Sequence, residues 1–238
     1  MTDHWAVFVS CEHAGNQIPA SYQALFADRQ ALLASHRGYD IGILPLARKL
    51  AQELAAPLLA TTITRLLLDA NRSPRSRTLW SELTRHLPAT ERAALLQRYH
   101  APYWDEARAT VARLGAAGHR VLHLSVHSFT PVWHEVARNT DLGLLYDPAR
   151  PVERAFCTLL QATLGRLAPG LRVRRNYPYR GNADALVTAL RRQFDPATYL
   201  GIELEVNQDY PLSDPQRWQT FQDTLLEALR HSLKESGG

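Results

Sequence analysis

Apolar and polar residues alternate strictly from Val121 to Pro131, and this pattern predicts a buried strand. Three aliphatic side chains fall on one face of the strand and three polar side chains on the other: Leu122, Leu124 and Val126 against His123, Ser125 and His127. Pro131 ends the strand, because proline cannot continue a central ladder. The strand therefore brings His127 to its carboxyl end, where open α/β sheets bind their ligands.

Other segments of the chain predict further strands and helices. Apolar runs predict strands over Trp5–Ser10, Pro57–Leu68, Asp141–Asp147, Leu171–Arg175 and Tyr199–Gln208. Helical spacing, with proline and turn signals at its ends, predicts six helices. Three have both ends predicted: Tyr22–Ala34, Thr90–Gly115 with an interruption at Pro102, and Asp214 to about Lys234. Of the other three, one begins at an N-cap at Asp40, one begins near Pro151, and one ends at about Phe194. Strands that alternate with helices predict an α/β three-layer sandwich, with a mostly parallel or mixed sheet and helices on both faces.

Composition and charge narrow the class of protein. A chain of 238 residues suits one domain over residues 1–238. The net charge of +4 is spread along the chain without an aromatic–basic repeat, which favours a solvated basic surface over nucleic-acid binding. Cys11 and Cys157 are too few for a disulfide framework. No apolar run is long enough to span a membrane, and Met1–His4 leads into a strand without a signal peptide. We expect a cytoplasmic monomer or homodimer with no nucleic-acid or membrane partner.

Polar residues cluster at the carboxyl ends of several predicted strands. They are Glu12 with His13, Asn71 with Arg72, His127, and Glu203 with Glu205. Histidine and carboxylate ligands with an open coordination position are typical of a catalytic zinc site, and a further glutamate can accept a proton from water. The H-E-x-x-H pattern of helical zinc sites is absent. A lone histidine is as often a hydrogen-bonded core residue as a metal ligand. The zinc hypothesis therefore depends on several of these polar residues meeting at one edge of the sheet.

Two residues allow more than one role at this stage. Asp40 is either a plain helix cap or a metal ligand placed at a helix N-terminus. Arg72, beside the amide of Asn71, offers a planar fork for binding an anion.

Several of these motifs, in their order along the chain, resemble the N-formylglutamate amidohydrolase family. The matching segments are Ser10–Pro19, Asp69–Pro74, His127–Thr130, Asn176–Gly181 and Glu205–Val206. That family is distantly similar to aspartoacylase, succinylglutamate desuccinylase and the zinc carboxypeptidases. Those enzymes hold one zinc ion with two histidines and a carboxylate, and they use a glutamate as general base. The resemblance implies a zinc-carboxypeptidase-like fold and hydrolysis of the amide bond in a small anionic N-acyl amino acid, such as N-formylglutamate.

The resemblance also implies a set of metal ligands. His13 and His127 match the two histidine ligands. The spacing of the carboxylate ligand in the deacylase relatives falls on Asn16 here, so Asp40 is the preferred third ligand and Glu12 the alternative.

The general base is one of two glutamates on the last predicted strand. The amidohydrolase pattern places the acid directly before Val206, which favours Glu205. The segment Gly201–Glu203 resembles the deacylase pattern, which favours Glu203. We expect Glu205 to be the base.

The remaining implied roles concern the substrate. Asn71 and Arg72 match a motif that grips the substrate carboxylate, Arg65 is placed to polarise the scissile carbonyl, and Arg180 resembles a second carboxylate clamp in a mobile loop. Trp104 replaces a histidine that often ends a helix motif in the family, which implies a different substrate preference. The alternatives are a carboxypeptidase-like hydrolase of short or cell-wall peptides, and a catalytically silent ligand-binding protein on the same fold.

Overall fold

The computed structural model describes residues 5–237 and contains a six-stranded central sheet. The strands are β1 Trp5–Cys11, β2 Leu58–Ala60, β3 Arg120–Phe129, β4 Val132–Trp133, β5 Val136–Ala137, β6 Leu142–Leu145, β7 Val173–Arg175 and β8 Tyr199–Asn207. The sheet order is β2-β1-β3-β8-β6-β7, and all neighbours are parallel except β6 and β8, while β4 and β5 form a separate hairpin. The N-terminal segment Met1–His4, for which no signal peptide was expected, lies outside the described residues.

Helices cover both faces of the sheet. They are α1 Gln30–Leu33, α2 Ile43–Glu53, α3 Ala89–Leu95, α4 Ala101–Ala116, α5 Pro151–Leu167, α6 Leu186–Arg191 and α7 Pro215–Ser236. Helices α2, α5 and α7 share one apolar core with the sheet, and α4 and α6 share a second core on the opposite face. The predicted α/β sandwich with a mostly parallel sheet is therefore confirmed. No helix within residues 5–237 has the length and apolar character needed to cross a membrane.

Strand β3 lies between β1 and β8 and has the predicted two faces. Leu122, Leu124 and Val126 are fully buried in the core that holds α2. The alternating polar residues of β3 are also buried, because α4 and α6 cover that side of the sheet. A strand covered on both faces keeps polar side chains only where they find partners, and the polar face of β3 leads to the candidate site.

The prediction of a strand over Pro57–Leu68 is largely wrong. Only Leu58–Ala60 joins the sheet, and the chain then turns, with the hydroxyl of Thr64 donating to the carbonyl of Gly38 at 2.9 Å. Leu66 and Leu67 bury themselves in a third, smaller apolar cluster with Phe26 and Leu95. Apolar residues alone do not distinguish a sheet strand from a segment that lines a local core.

Two predicted helices also differ from the structure. The helix predicted over Tyr22–Ala34 is instead a 3-10 helix, Ala20–Phe26, followed by the short α1, in which no residue is buried. Phe26 is buried here, while Leu25, Leu32 and Leu33 are only partly buried beside it, so a continuous helix gains little from packing. The helix predicted over Thr90–Gly115 runs through α3 and α4 and is interrupted by the π-helical turn Leu96–His100, which precedes Pro102. Proline lacks the N–H of a regular helical bond, so the adjacent turn widens.

The prediction of Asp40 as an N-cap is wrong. Helix α2 begins at Ile43, and its N-cap is Gly42, which has a left-handed φ of 77°. A side chain at Gly42 would bring its Cβ to 2.1 Å from Cβ of Pro211, so only glycine fits there. This turn leaves the carboxylate of Asp40 free of the helix end and directs it into the protein.

Candidate active site

Three buried side chains meet at the carboxyl edge of the sheet. His13 follows β1, Asp40 precedes α2 and His127 lies near the end of β3, and their ligand atoms all lie within 4.8 Å of one another. Strands β1 and β3 are parallel neighbours, so their carboxyl ends share one edge. The N–H of Asp40 donates to the carbonyl of His13 at 3.0 Å, which holds Asp40 beside the end of β1.

The inner nitrogens of both histidines face the carboxylate of Asp40. Oδ2 of Asp40 lies 2.9 Å from Nδ1 of His127 and 3.5 Å from Nδ1 of His13, and it also accepts the N–H of Ser128 at 3.2 Å. Nδ1 of His13 is buried and has no hydrogen-bond partner. A buried ring nitrogen without a partner is costly, and a cation held between it and the carboxylate would satisfy it. Two imidazole nitrogens and one carboxylate oxygen are ligands that zinc accepts.

The outer nitrogens of both histidines are held by other carboxylates. Nε2 of His13 donates to Oδ1 of Asp69 at 2.7 Å, and Nε2 of His127 lies 3.1 Å from Oε2 of Glu12. The hydroxyl of Ser125 lies 2.9 Å from the same nitrogen of His127 and donates to Glu12. A carboxylate on the outer nitrogen fixes the ring orientation and the tautomer of a metal-binding histidine.

Sequence reasoning assigned no role to Asp69 or Ser125, although both left a signal. Asp69 directly follows a run of three leucines and belongs to the motif Asp69–Pro74, and Ser125 lies on the polar face of β3. His123 shares that face but does not reach the site, because its nitrogens lie 2.7 Å from Oγ of Ser10 and 2.8 Å from the hydroxyl of Tyr199. Both nitrogens of His123 are thus used by structural hydrogen bonds.

The electrostatics of this cluster favour a cation. Burial opposes the charged form of Asp40, but the neighbouring His13 and His127 hold the pKa of Asp40 well below its ordinary value. Burial also opposes a charge on His127, yet its hydrogen bonds with Asp40 and Glu12 raise its pKa well above the ordinary value. Three buried carboxylates thus surround two histidines, and Arg65 contacts two of these carboxylates, at 2.8 Å from Asp69 and 3.6 Å from Asp40. A divalent cation would balance the excess negative charge.

Strand β8 adds two glutamates next to this cluster. Its register with β3 pairs Ser125 with Glu203 and His127 with Glu205. Oε2 of Glu205 is buried without a hydrogen-bond partner, and burial raises the pKa of Glu205 to about 8. Glu203 is engaged by Nδ2 of Asn71 at 3.5 Å. Of the two, Glu205 is the carboxyl group that is free to exchange a proton.

Comparison with known proteins identifies the family. The sequence profile of the N-formylglutamate amidohydrolase family matches residues 5–211. The chain belongs to the N-formylglutamate amidohydrolase family. It is therefore a hydrolase that acts on amide C–N bonds, and the resemblance inferred from the motifs is confirmed.

Two solved structures share the fold over nearly the whole chain. The gene product Atu2144 from Agrobacterium tumefaciens is 28% identical, with a TM-score of 0.80, and the alignment covers 96% of this chain and 90% of that one. The N-formylglutamate amidohydrolase from Ralstonia eutropha JMP134 is 19% identical, with a TM-score of 0.71, and the alignment covers 97% and 93% of the two chains. No curated protein matches the sequence.

Two residues at which this chain departs from the family motifs have structural partners. Asn16, at the position where the deacylase relatives place a carboxylate ligand, donates its amide to the carbonyl of Leu33 at 3.0 Å. The indole N–H of Trp104 donates to the carbonyl of Ala70 at 2.7 Å, and the ring stacks on His100 at 4.7 Å. Trp104 thus supports the turn that carries Asp69, so its hydrogen bond gives the replacement a structural role.

The polar residues that follow Asp69 are partly engaged with the backbone. Asn71 lies 3.3 Å from Nε2 of His127 through Nδ2, and its Oδ1 accepts the N–H of Leu186 at 2.9 Å. Nη1 of Arg72 donates hydrogen bonds to the carbonyl of Asn71 at 3.1 Å and to the carbonyl of Asp184 at 2.8 Å. Burial opposes the charge of Asp69, but Arg65, His13 and, to a smaller extent, Arg72 hold its pKa well below the ordinary value.

The loop Asn176–Gly181 lies against the strands that carry the site. Oδ1 of Asn176 accepts the N–H groups of Tyr146 and Gly181, which closes the loop at its two ends. The carbonyl of Tyr177 lies close to Gly143 of β6. A Cβ on Gly143 would lie 2.0 Å from the carbonyl oxygen of Tyr177 and 3.2 Å from Cβ of Glu205. Arg180 is exposed at the outer end of this loop.

Proposed function

We propose that this family member is a zinc-dependent amidohydrolase that cleaves the amide bond of an N-acyl acidic amino acid such as N-formylglutamate. The observation that carries the proposal is the buried group of His13, Asp40 and His127, in which Nδ1 of His13 has no hydrogen-bond partner among residues 5–237. Membership of the family supports the reaction class, and the three buried side chains support the use of a metal.

His13, Asp40 and His127 are the proposed metal ligands. Glu12 remains the alternative to Asp40, but its carboxylate contacts the outer nitrogen of His127, which favours a role in orienting that ring. Zinc held by these residues would act as a Lewis acid that lowers the pKa of water to about 7 and polarises a carbonyl.

Glu205 is the proposed general base. Its free, buried carboxyl group is suited to accept a proton from the attacking water and to return it to the departing amine. Glu203, two residues earlier on the same face of β8, is the alternative base. Arg65 stands beside Asp40 and Asp69, where its guanidinium can stabilise negative charge on the carbonyl oxygen.

Asn71, Arg72 and Arg180 are the proposed substrate-binding residues. Asn71 contacts both His127 and Glu203, so its amide lies at the reacting end of the site. Arg72 adjoins it and offers further N–H groups for a carboxylate. Arg180 contributes positive charge from the outer end of the loop Asn176–Gly181.

The first test joins metal content with a substrate panel. We expect the purified protein to carry about one zinc per chain, and His13→Ala and His127→Ala to lose it. His231→Ala, which removes an exposed histidine on α7, is the matched control and should keep the metal. N-formyl and N-acetyl derivatives of acidic amino acids should be hydrolysed faster than those of neutral ones.

Other outcomes would refute the proposal in distinct ways. A protein that neither contains nor takes up zinc would be a ligand-binding protein on a hydrolase fold. A zinc protein that cleaves short or cell-wall peptides, and leaves N-acyl amino acids intact, would be a carboxypeptidase-like hydrolase.

A further inference from the structure

Arg138 is held by the two strands that carry the site. Its N–H donates to the carbonyl of Pro131 at 2.8 Å, just past the end of β3, and its carbonyl accepts Nδ2 of Asn207 at 3.3 Å, at the end of β8. Strand β3 carries His127 and β8 carries Glu205. The backbone of Arg138 is therefore fixed with respect to both the proposed metal ligands and the proposed base.

The guanidinium of Arg138 stands beyond His127 along β3. Its Cζ lies 5.9 Å from the ring centroid of Phe129, a residue on the same face of β3 as His127 and two positions further along. It also lies 5.1 Å from the ring of Trp133 and 5.5 Å from that of Tyr179, whose hydroxyl accepts one N–H at 3.4 Å. Three rings thus hold the side chain in place, at the outer side of the site.

Arg138 has no carboxylate partner among residues 5–237. Two other arginines near the sheet behave differently: Arg65 pairs with Asp69, and Arg191 pairs with Glu153. An arginine has five N–H donors, and aromatic rings that contact its faces leave the donors at its edge available. A fixed guanidinium with free donors is suited to bind a carboxylate with two parallel hydrogen bonds.

The surroundings of Arg138 are positively charged. His36 contacts Trp133 at 6.0 Å, and its pKa is lowered, first by burial and then by the charges of Arg37, Arg65 and Arg138. Arg65 and Arg138 therefore act on the same region, one beside the proposed metal ligands and the other further out. Such a region attracts an anionic substrate.

From these contacts we infer that Arg138 binds the side-chain carboxylate of an acidic N-acyl amino acid and so sets the preference for acidic over neutral substrates. This inference rests on the proposed function. The α-carboxylate adjoins the scissile amide, so it must lie close to the metal ligands when the amide is positioned for cleavage. The side-chain carboxylate lies further out, where the guanidinium of Arg138 stands past His127.

The test compares N-formylglutamate with its neutral isostere N-formylglutamine in the zinc-loaded enzyme. We expect Arg138→Met to raise KM for N-formylglutamate at least about tenfold, the effect of one lost charge-assisted hydrogen bond, and to leave KM for N-formylglutamine within about twofold. Arg138→Lys keeps the charge but loses the fork, and should fall between wild type and Arg138→Met. Binding of glutamate, measured by calorimetry, should weaken by the same factor in Arg138→Met.

Controls separate this inference from trivial effects. Arg113→Met removes an exposed arginine from the last turn of α4, at the opposite end of the sheet, and should change neither KM value. If Arg138→Met unfolds, Arg138→Gln provides the same comparison with a polar side chain. Circular dichroism and zinc content should match wild type in the variants compared.

Equal effects of Arg138→Met on both substrates, or no effect on either, would overturn the inference. Loss of the acidic preference in Arg180→Met, with the preference intact in Arg138→Met, would also overturn it and assign the role to Arg180. If wild type hydrolyses no N-acyl amino acid, the proposed function fails, and the calorimetric comparison still decides the role of Arg138. Equal glutamate binding by wild type and Arg138→Met would refute the role of Arg138 and leave the proposed function to the hydrolysis assay.

Discussion

At the scale of single residues, the carboxyl group of Glu205 differs from every other acid around the site. Asp40, Asp69 and Glu12 each contact a histidine, and Glu203 is engaged by Asn71. Glu205 has a buried oxygen without a partner and a pKa raised to about 8 by burial. A general base must gain and lose a proton, so a buried carboxyl oxygen without a partner makes Glu205 the proposed base.

We predict that Glu205→Gln keeps one zinc per chain and lowers kcat at least about a hundredfold, the low end of a general-base contribution. The amide has nearly the same shape but cannot accept the proton. Single-turnover rates and metal content of the same preparation provide the measurement. Glu203→Gln is the matched variant, and a larger loss there than in Glu205→Gln would move the role to Glu203.

The residues of the site could be predicted unequally from the sequence. His13 and His127 were identifiable because His13 follows β1, His127 lies near the end of β3, and these two strands end at the same edge of the sheet. The direction of the Asp40 side chain was not, because it depends on the left-handed turn at Gly42 and on the hydrogen bond from its N–H to the carbonyl of His13. Such contacts join distant segments and leave no periodic signal.

At the scale of elements, an ion pair between the buried Asp141 and the exposed Arg172 joins the start of β6 to the start of β7. Arg172 donates two side-chain N–H groups to Asp141, at 3.0 and 2.8 Å, and its backbone N–H donates to the same carboxylate at 2.7 Å. The carbonyl of Asp141 accepts the N–H of Asn207 at 3.0 Å, which adds the end of β8. Asp141 thus joins three strand ends, those of β6 and β7 through its carboxylate and that of β8 through its backbone carbonyl.

We predict that Asp141→Asn lowers the free energy of unfolding at pH 7 by about 1–3 kcal/mol, the cost of losing hydrogen bonds to a charged group. Burial opposes the charge, but Arg172 keeps the pKa of Asp141 below its ordinary value in the folded protein. Because the pKa of Asp141 is lower in the folded protein, its carboxylate stabilises the fold at pH values above its unfolded pKa of about 3.9. This stabilisation is lost as the pH falls through the pKa of the folded protein.

Urea unfolding of wild type and Asp141→Asn across pH 7 to 3 measures this effect. The difference between the two proteins should shrink below about pH 4. Asp223, an exposed residue of α7, pairs with Lys49 of α2. The control variant Asp223→Asn should change the free energy of unfolding by less than about 1 kcal/mol at any pH. A difference for Asp141→Asn that stays constant with pH would exclude the carboxylate charge as its cause.

Regular elements followed from the sequence better than the irregular segment before α3. Strands β1, β3 and β8 have apolar residues with matching partners on neighbouring strands. The segment 61–87 packs its leucines into a local cluster with Phe26 and uses turns to present Arg65 and Asp69. Its conformation depends on tertiary contacts with residues far away in the sequence, which periodicity does not record.

At the scale of the whole molecule, the proposed metal would join three segments that lie far apart in the sequence. Its ligands come from the end of β1, the segment before α2 and the end of β3. A ligand that binds only the folded state stabilises it by about 2.7 kcal/mol at a hundred times its Kd. For a chain of this size, that corresponds to about 5–10 °C in Tm.

We therefore predict that removing the metal with a chelator lowers Tm by at least about 5 °C, and that adding zinc restores it. Differential scanning calorimetry of the untreated, chelated and reloaded protein measures the shift. His127→Ala should show the lower Tm with no further response to chelator or zinc. If the Tm of the wild type changes neither with chelator nor with added zinc, the proposed metal does not join these segments.

The position of β8 between β3 and β6 has a consequence for the growing chain on the ribosome. Synthesis proceeds from the N-terminus, so the three proposed ligands and both neighbours of the gap that β8 fills are made before Glu205 exists. Until β8 inserts, β3 has one open edge, and the cluster has no base beside it. The proposed metal ligands are therefore complete before synthesis reaches β8, while the proposed base arrives with the last strand of the chain.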